Sequence, residues 1–303
     1  MAEGRIYDGV WDLVFNSPLV RLARVADPGG AELCIKLEAN NPTGSVKDRP
    51  AYAMIRAAEQ AGQLSEGATI VEATSGNTGI SLAMMASVRG YRCVLVMPHD
   101  MAAARQTILR AYGAEMVLTP ADQGMRGAVD EAERIERETP SAFMPRQFEN
   151  PENPAVHERT TGPEILHDTA GQLDVFVAGV GTGGTLTGVA RTLRREVPGV
   201  RVVAVEPQNS AVLSGGPPGL HAIQGLGAGF VPPVLDMSLV DEVIAVSDLD
   251  ADRMATRLAR EEGFLVGPSS GANVVAAARL ARELTPDQRV VTVVCDDGER
   301  YLK

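Results

Sequence analysis

The sequence predicts an α/β protein of two domains, each a mostly parallel twisted sheet flanked by helices. Three observations carry this. Short aliphatic runs alternate with helical runs along most of the chain. Those runs are apolar throughout instead of alternating with polar residues, as strands covered on both faces are. The chain is 303 residues long with only 4% aromatics, enough for two layers with aliphatic cores.

Taken in order, residues 10–15 form an apolar-periodic segment, and Asn16-Ser-Pro18 is a turn signal. Strands are expected at 19–22 and 33–37. A turn around Lys47 opens a helix marked by Ala51, Met54, Ile55 and Ala58. Ser45 with Asp48 has capping-box spacing, and Asp48 as the cap with Pro50 in the first turn is an equal alternative. The alternation then runs strand 69–72, helix 79–88, strand 93–97, helix 103–112, strand 116–118 and helix 124–138. Residues 139–156 carry four prolines and read either as a connector between layers or as a long surface loop. The second half continues with strand 175–178, helix 185–196 and strand 202–205. A Gly/Pro-rich excursion over 207–235 is long enough to suggest a functional loop. Strand 243–246, a helix capped by Ser247 and running to 262, helix 273–284 and strand 290–294 complete the chain.

Composition narrows the function. A formal net charge of -11 argues against a nucleic-acid or anionic-membrane surface. The three cysteines, Cys34, Cys93 and Cys295, lie far apart, and the four histidines are scattered. This pattern suits a reducing compartment and suggests neither disulfides nor a metal site. No signal peptide or run of membrane-spanning length is visible, so a cytoplasmic protein is expected.

Three of the 28 basic residues are lysine: Lys36, Lys47 and Lys303. Arginine otherwise serves wherever a positive charge is wanted. A lysine kept in Asn41-Pro-Thr-Gly-Ser-Val-Lys-Asp-Arg-Pro50 therefore raises the question of what only lysine can do. Its amine can lose a proton and condense with a carbonyl, which makes Lys47 the candidate Schiff-base residue. A solvated surface charge is the plainer alternative.

Three loops after strands carry chemistry, where open parallel sheets bind ligands. Thr74-Ser-Gly-Asn-Thr-Gly79 sets three hydroxyls and an amide at a helix start and suits a carboxylate. Gly179-Val-Gly-Thr-Gly-Gly-Thr185 offers backbone amides with the Thr182 and Thr185 hydroxyls, and suits a phosphate. Gly179, Gly181 and Gly184, with Glu206 after the next strand, also fit a dinucleotide fingerprint, so a nicotinamide-dependent oxidoreductase is a rival reading. Gly267-Pro-Ser-Ser-Gly271 could cap its helix or bond a ligand heteroatom. An imine-forming amine, a one-phosphate cradle, a carboxylate loop and a hydroxyl together describe pyridoxal phosphate with an amino acid.

These motifs resemble those of the cysteine synthase (O-acetylserine sulfhydrylase) family, pyridoxal-phosphate enzymes of fold type II. Gln147-Phe-Glu-Asn-Pro, Thr160-Thr-Gly-Pro-Glu164, Ile223-Gln-Gly-Leu-Gly-Ala-Gly-Phe230 and Gly298-Glu-Arg-Tyr-Leu302 add to the resemblance, which runs nearly end to end. It implies that Lys47 holds pyridoxal 5'-phosphate as an imine and removes the substrate α-proton. Asn77 would bond the ring hydroxyl, Gly181, Thr182, Gly183, Gly184 and Thr185 would hold the phosphate, and Ser269 would face the pyridine nitrogen. Thr74, Ser75, Gly76, Thr78 and Gln147 would grip the substrate carboxylate. The implied reaction replaces the acetyl group of O-acetylserine by sulfide through an α-aminoacrylate. Sibling β-replacement enzymes, using O-phosphoserine, making cystathionine or taking thiosulfate, are the alternatives. The resemblance also implies a homodimer, with the C-terminal tail of serine acetyltransferase as a possible partner. The expected domains are a smaller mobile one over 38–150 and a larger one over 1–37 and 151–303.

Overall fold

The computed structural model describes residues 6–99 and 103–302. The chain begins with β1 (Leu19–Arg21), β2 (Glu32–Leu37), α1 (Asp48–Gln60), β3 (Thr69–Ala73), α2 (Asn77–Arg89), β4 (Arg92–Pro98), α3 (Ala103–Ala111) and β5 (Glu115–Thr119). There follow α4 (Gly124–Glu138), β6 (Ala142–Phe143), α5 (Glu152–Arg159), α6 (Thr161–Asp168), β7 (Val175–Gly179), α7 (Gly184–Glu196) and β8 (Arg201–Pro207). It closes with β9 (Glu242–Val246), α8 (Asp248–Arg257), α9 (Pro268–Glu283) and β10 (Arg289–Val294).

Two compact units result. The smaller takes Asn41–Glu152 with the N-terminal residues through Phe15, and the larger takes Asn16–Asn40 with Asn153–Lys303. The smaller unit's sheet runs β5-β4-β3-β6, parallel throughout. Ile70, Leu95 and Met97 bury one face against α1 and α2, while Val71, Val94 and Val96 bury the other against Ala128 and Ala132 of α4. The larger unit's sheet runs β1-β2-β10-β7-β8-β9, parallel except for β1. Its inner strands β10, β7 and β8 bury both faces, which explains their largely apolar character.

The structure departs from the expected elements in four places. Residues 6–15 belong to the smaller unit and not the larger. Trp11 and Phe15 pack against Tyr52 with ring centroids 4.5 and 5.1 Å away, and Val14 is buried beside Ala51 and Ile55. Neither Ser45 nor Asp48 caps α1: Lys47 occupies the cap position without a side-chain cap, and Asp48 is the first helical residue. α9 begins at Pro268, ahead of the expected start at 273, because proline in a first turn forfeits no helical hydrogen bond. The proline-rich connector contains β6, and α5 starts within it. The Ser247 cap is found as expected, its Oγ accepting from Asp250 N at 3.1 Å.

Candidate active site

The two internal lysines have different surroundings. Lys36 on β2 is fully buried. Its Nζ donates to the Ser17 carbonyl and stands 3.1 Å from both Glu164 and Asp168. Three oxygens around one compact ammonium suit lysine better than a planar guanidinium. Lys36 is thus a structural cation, which accounts for its escape from the arginine bias. Lys47 is half-buried and sits where the chain turns into α1. Its loop is held by the neighbouring carboxylate. Asp48, fully buried, accepts from Thr43 N at 2.7 Å, Thr43 Oγ1 at 2.5 Å and Ser81 Oγ at 2.6 Å, tying the turn to α2.

The Thr74 loop leaves β3 and enters α2, whose cap is Gly76 and whose first residues are Asn77, Thr78 and Gly79. The N–H groups of that first turn have no intrahelical acceptors, and the helix dipole adds positive potential. Thr74 and Thr78 are buried, while Ser75, Gly76 and Asn77 are half-buried. Thr78 Oγ1 donates to Gln147 Oε1 at 2.6 Å. Gln147 therefore joins the loop across 69 residues of chain. Two neighbours escaped the sequence reading. Arg105 of α3 donates to the Ser75 carbonyl at 3.0 Å. Glu72, at the end of β3, accepts from the backbone of Arg146 and Gln147.

In the larger unit the phosphate-type loop links β7 to α7. Gly183 caps α7 at φ 86, a left-handed conformation that glycine adopts without a steric cost. Thr182 Oγ1 accepts from Asn153 Nδ2 at 3.0 Å, and Thr185 Oγ1 lies 3.2 Å from His157 Nε2. Asn153 and His157 belong to α5, so this helix braces the loop; sequence reasoning missed both. The excursion over 207–235 returns against the same loop, with Gly227 N donating to the Val180 carbonyl at 3.0 Å. A Cβ on Gly181 would stand 2.2 Å from the Gly225 carbonyl oxygen, and one on Gly225 would stand 3.7 Å from Ser269 Oγ. Gly181, Gly225 and Ser269 thus form one cluster. The neighbouring Ser270 is engaged elsewhere, its Oγ accepting from Cys295 N at 2.9 Å. Ser269 is buried in the first turn of α9.

The rival fingerprint fails on Glu206. Its buried carboxylate accepts from Leu213 N at 2.7 Å, Ser214 N at 3.2 Å and Ser214 Oγ, so it serves the excursion and not a ribose. Cys34 and Cys93 are poor thiolates: burial pushes their thiols up to about 12. The donor set fits pyridoxal phosphate. A helix N-terminus with threonine hydroxyls suits one phosphate, a serine hydroxyl suits a ring nitrogen, and Lys47 offers the amine.

Comparison with known proteins agrees with this geometry. Residues 10–296 match the family model described as pyridoxal-phosphate dependent enzyme. A cysteine synthase of Staphylococcus aureus is 50% identical over 296 residues, covering 97% of this chain and 95% of the relative. The crystal structure of O-ureido-L-serine synthase superposes with a TM-score of 0.96 at 44% identity, covering 99% of this chain and 94% of that one. That of cysteine synthase from Entamoeba histolytica gives a TM-score of 0.94 at 39% identity, covering 100% and 91%. The chain belongs to the pyridoxal-phosphate dependent enzyme family, among the relatives of the cysteine synthases.

Proposed function

We propose that this chain is an O-acetylserine sulfhydrylase, replacing the acetyl group of O-acetyl-L-serine by sulfide to release L-cysteine and acetate. Pyridoxal 5'-phosphate, when bound, supplies an aldehyde that joins amines and a ring that draws electrons from the bonds at the α-carbon. Lys47 Nζ is the amine that carries it at rest and the base that takes the α-proton. The backbone of residues 181–185 and the Thr182 and Thr185 hydroxyls hold the phosphate, and Asn77 bonds the ring hydroxyl. Ser269 meets the ring nitrogen with a neutral hydroxyl. Such a partner holds no proton on that nitrogen, as a carboxylate would, and this favours elimination over transamination. Thr74, Ser75, Gly76, Thr78 and Gln147 hold the substrate carboxylate.

The contact between Thr78 and Gln147 carries this reading. It brings the Gln147 amide to a hydroxyl in the first turn of α2, a helix N-terminus whose N–H groups suit an amino-acid carboxylate. An acetyl leaving group is favoured over phosphate because residues 207–235 contain neither lysine nor arginine. The reading extends to a cytoplasmic homodimer that binds the C-terminal tail of serine acetyltransferase, testable by light scattering with and without that peptide.

The decisive assay supplies the holoprotein with O-acetylserine and sulfide. Cysteine and acetate should appear in equal amounts, and O-phosphoserine should turn over far more slowly. Phosphate released faster than acetate would reverse the substrate assignment. Borohydride reduction should fix the cofactor on the peptide containing Lys47, and Lys47→Ala should lose both label and visible absorbance. A label on Lys36 would refute the attachment site.

A further inference from the structure

Glu72 ends two residues before the Thr74 loop, and its carboxylate is buried. Among the described residues it forms no ion pair. Instead Oε2 accepts from Arg146 N at 3.0 Å and Oε1 accepts from Gln147 N at 3.4 Å. Both amides lie in the segment after β6. The pairing of β6 with β3 ends at Phe143 opposite Ile70, so no sheet ladder fixes residues 144–147. The carboxylate takes over that task. Arg146 adopts φ 50, a region disfavoured for residues other than glycine, and this lets two successive N–H groups converge on one anion. The Arg146 guanidinium is tied separately to Glu136 of α4, at 2.9 and 2.6 Å. With the turn held by backbone and side chain, the next residue, Gln147, receives the Thr78 hydroxyl.

The choice of a carboxylate here is informative. Burying one is costly, and burial pushes the Glu72 carboxyl up to about 7 although both amides and Arg146 favour its charged form. A glutamine would avoid that cost. It would also offer one oxygen only and set an NH2 group against the second N–H. A carboxylate gives each amide an oxygen of its own, Oε2 for Arg146 and Oε1 for Gln147.

We propose that Glu72 is a positioning residue for the substrate grip: by holding the backbone amides of Arg146 and Gln147, it sets the Gln147 side chain against Thr78. This rests on the reading of Thr78 and Gln147 as carboxylate ligands. KM and kcat for O-acetylserine should be measured on holoenzyme of the wild type, Glu72→Gln, Gln147→Ala and the double variant. Glu72→Gln should raise KM about tenfold, the worth of a buried hydrogen bond to a charged group, with kcat much less affected and the visible cofactor absorbance kept. Added to Gln147→Ala, it should change KM less than about twofold. Amide exchange at residues 146–147 should also quicken in Glu72→Gln. An equal rise in KM in both backgrounds, or unchanged exchange, would overturn the inference alone. An unchanged KM in Gln147→Ala would remove the grip itself and the inference with it. Should Glu72→Gln not fold, Glu72→Asp keeps the charge, withdraws the acceptor by one methylene, and carries the same expectations.

Discussion

Replacing Lys36 by methionine tests whether that lysine is structural. The substitution keeps the side chain's length and apolar stem while deleting the ammonium. Two carboxylates, Glu164 and Asp168, then lose a shared cation that stands 3.1 Å from each, and the Ser17 carbonyl loses its donor. Breaking a buried ion pair from one side costs about 3–5 kcal/mol. The Glu164 and Asp168 side chains are 13% and 31% exposed, so water recovers part of that loss. The expected destabilisation is therefore about 3 kcal/mol, at the low end of that range. Urea unfolding followed by circular dichroism should show it as a lower midpoint, with the borohydride label still recovered on Lys47. A loss below about 1 kcal/mol, the range of surface pairs, would refute the structural role. Loss of the cofactor label in a folded Lys36→Met protein would refute the division of labour between the two lysines.

Three further outcomes are expected. The Glu72 carboxyl, raised from 4.5 to about 7 when folded, makes the native state hold a proton more tightly than the unfolded one. Its contribution is full below pH 4.5 and lost as pH rises to about 7, a swing of ~3 kcal/mol that Glu72→Gln should remove from the pH dependence of stability. Gly184→Ala would place a Cβ 2.0 Å from Asn153 Oδ1, displacing the side chain that braces Thr182. Cofactor affinity, read by absorbance titration of the apoprotein, should fall about tenfold. Cys34 and Cys93, with thiols pushed up to about 12, should resist a thiol reagent at pH 8 in the folded protein and react after denaturation.

The inner strands β3, β4, β7, β8 and β10 were legible because each is a mostly aliphatic run buried on both faces, whereas β6, only Ala142–Phe143 and half-buried, was not. The loops of the site were legible because their chemistry is local: glycine, hydroxyl and amide residues crowded between a strand and a helix. α5 was not legible. It buries Asn153 and His157 alongside Pro154 and Val156, so its inner face shows no apolar stripe. The start of α9 was obscured because Gly267-Pro-Ser-Ser-Gly271 is made wholly of turn-forming residues, although Pro268 stands in the first helical turn. The purpose of Lys36 lay beyond local reading, since its partner Asp168 is 132 residues away, and Glu72 reaches Gln147 across 75. Buried polar contacts of this kind leave no periodicity in the chain; only the fold brings their members together.

The order of strands bears on how the polypeptide matures on the ribosome. β10 lies inside its sheet, paired along residues 289–294 with β2 and flanked on the other side by β7. The β1–β2 hairpin is complete at Leu37, yet its inner neighbour does not begin until Arg289. Until then Leu33 and Ile35 have no finished layer to enter, and the hairpin presents an open edge of the kind that invites aggregation. The smaller unit has all four of its strands by residue 143. Translation thus completes one half of the molecule while the other still awaits its central strand, a window in which chaperone capture of the early hairpin matters most.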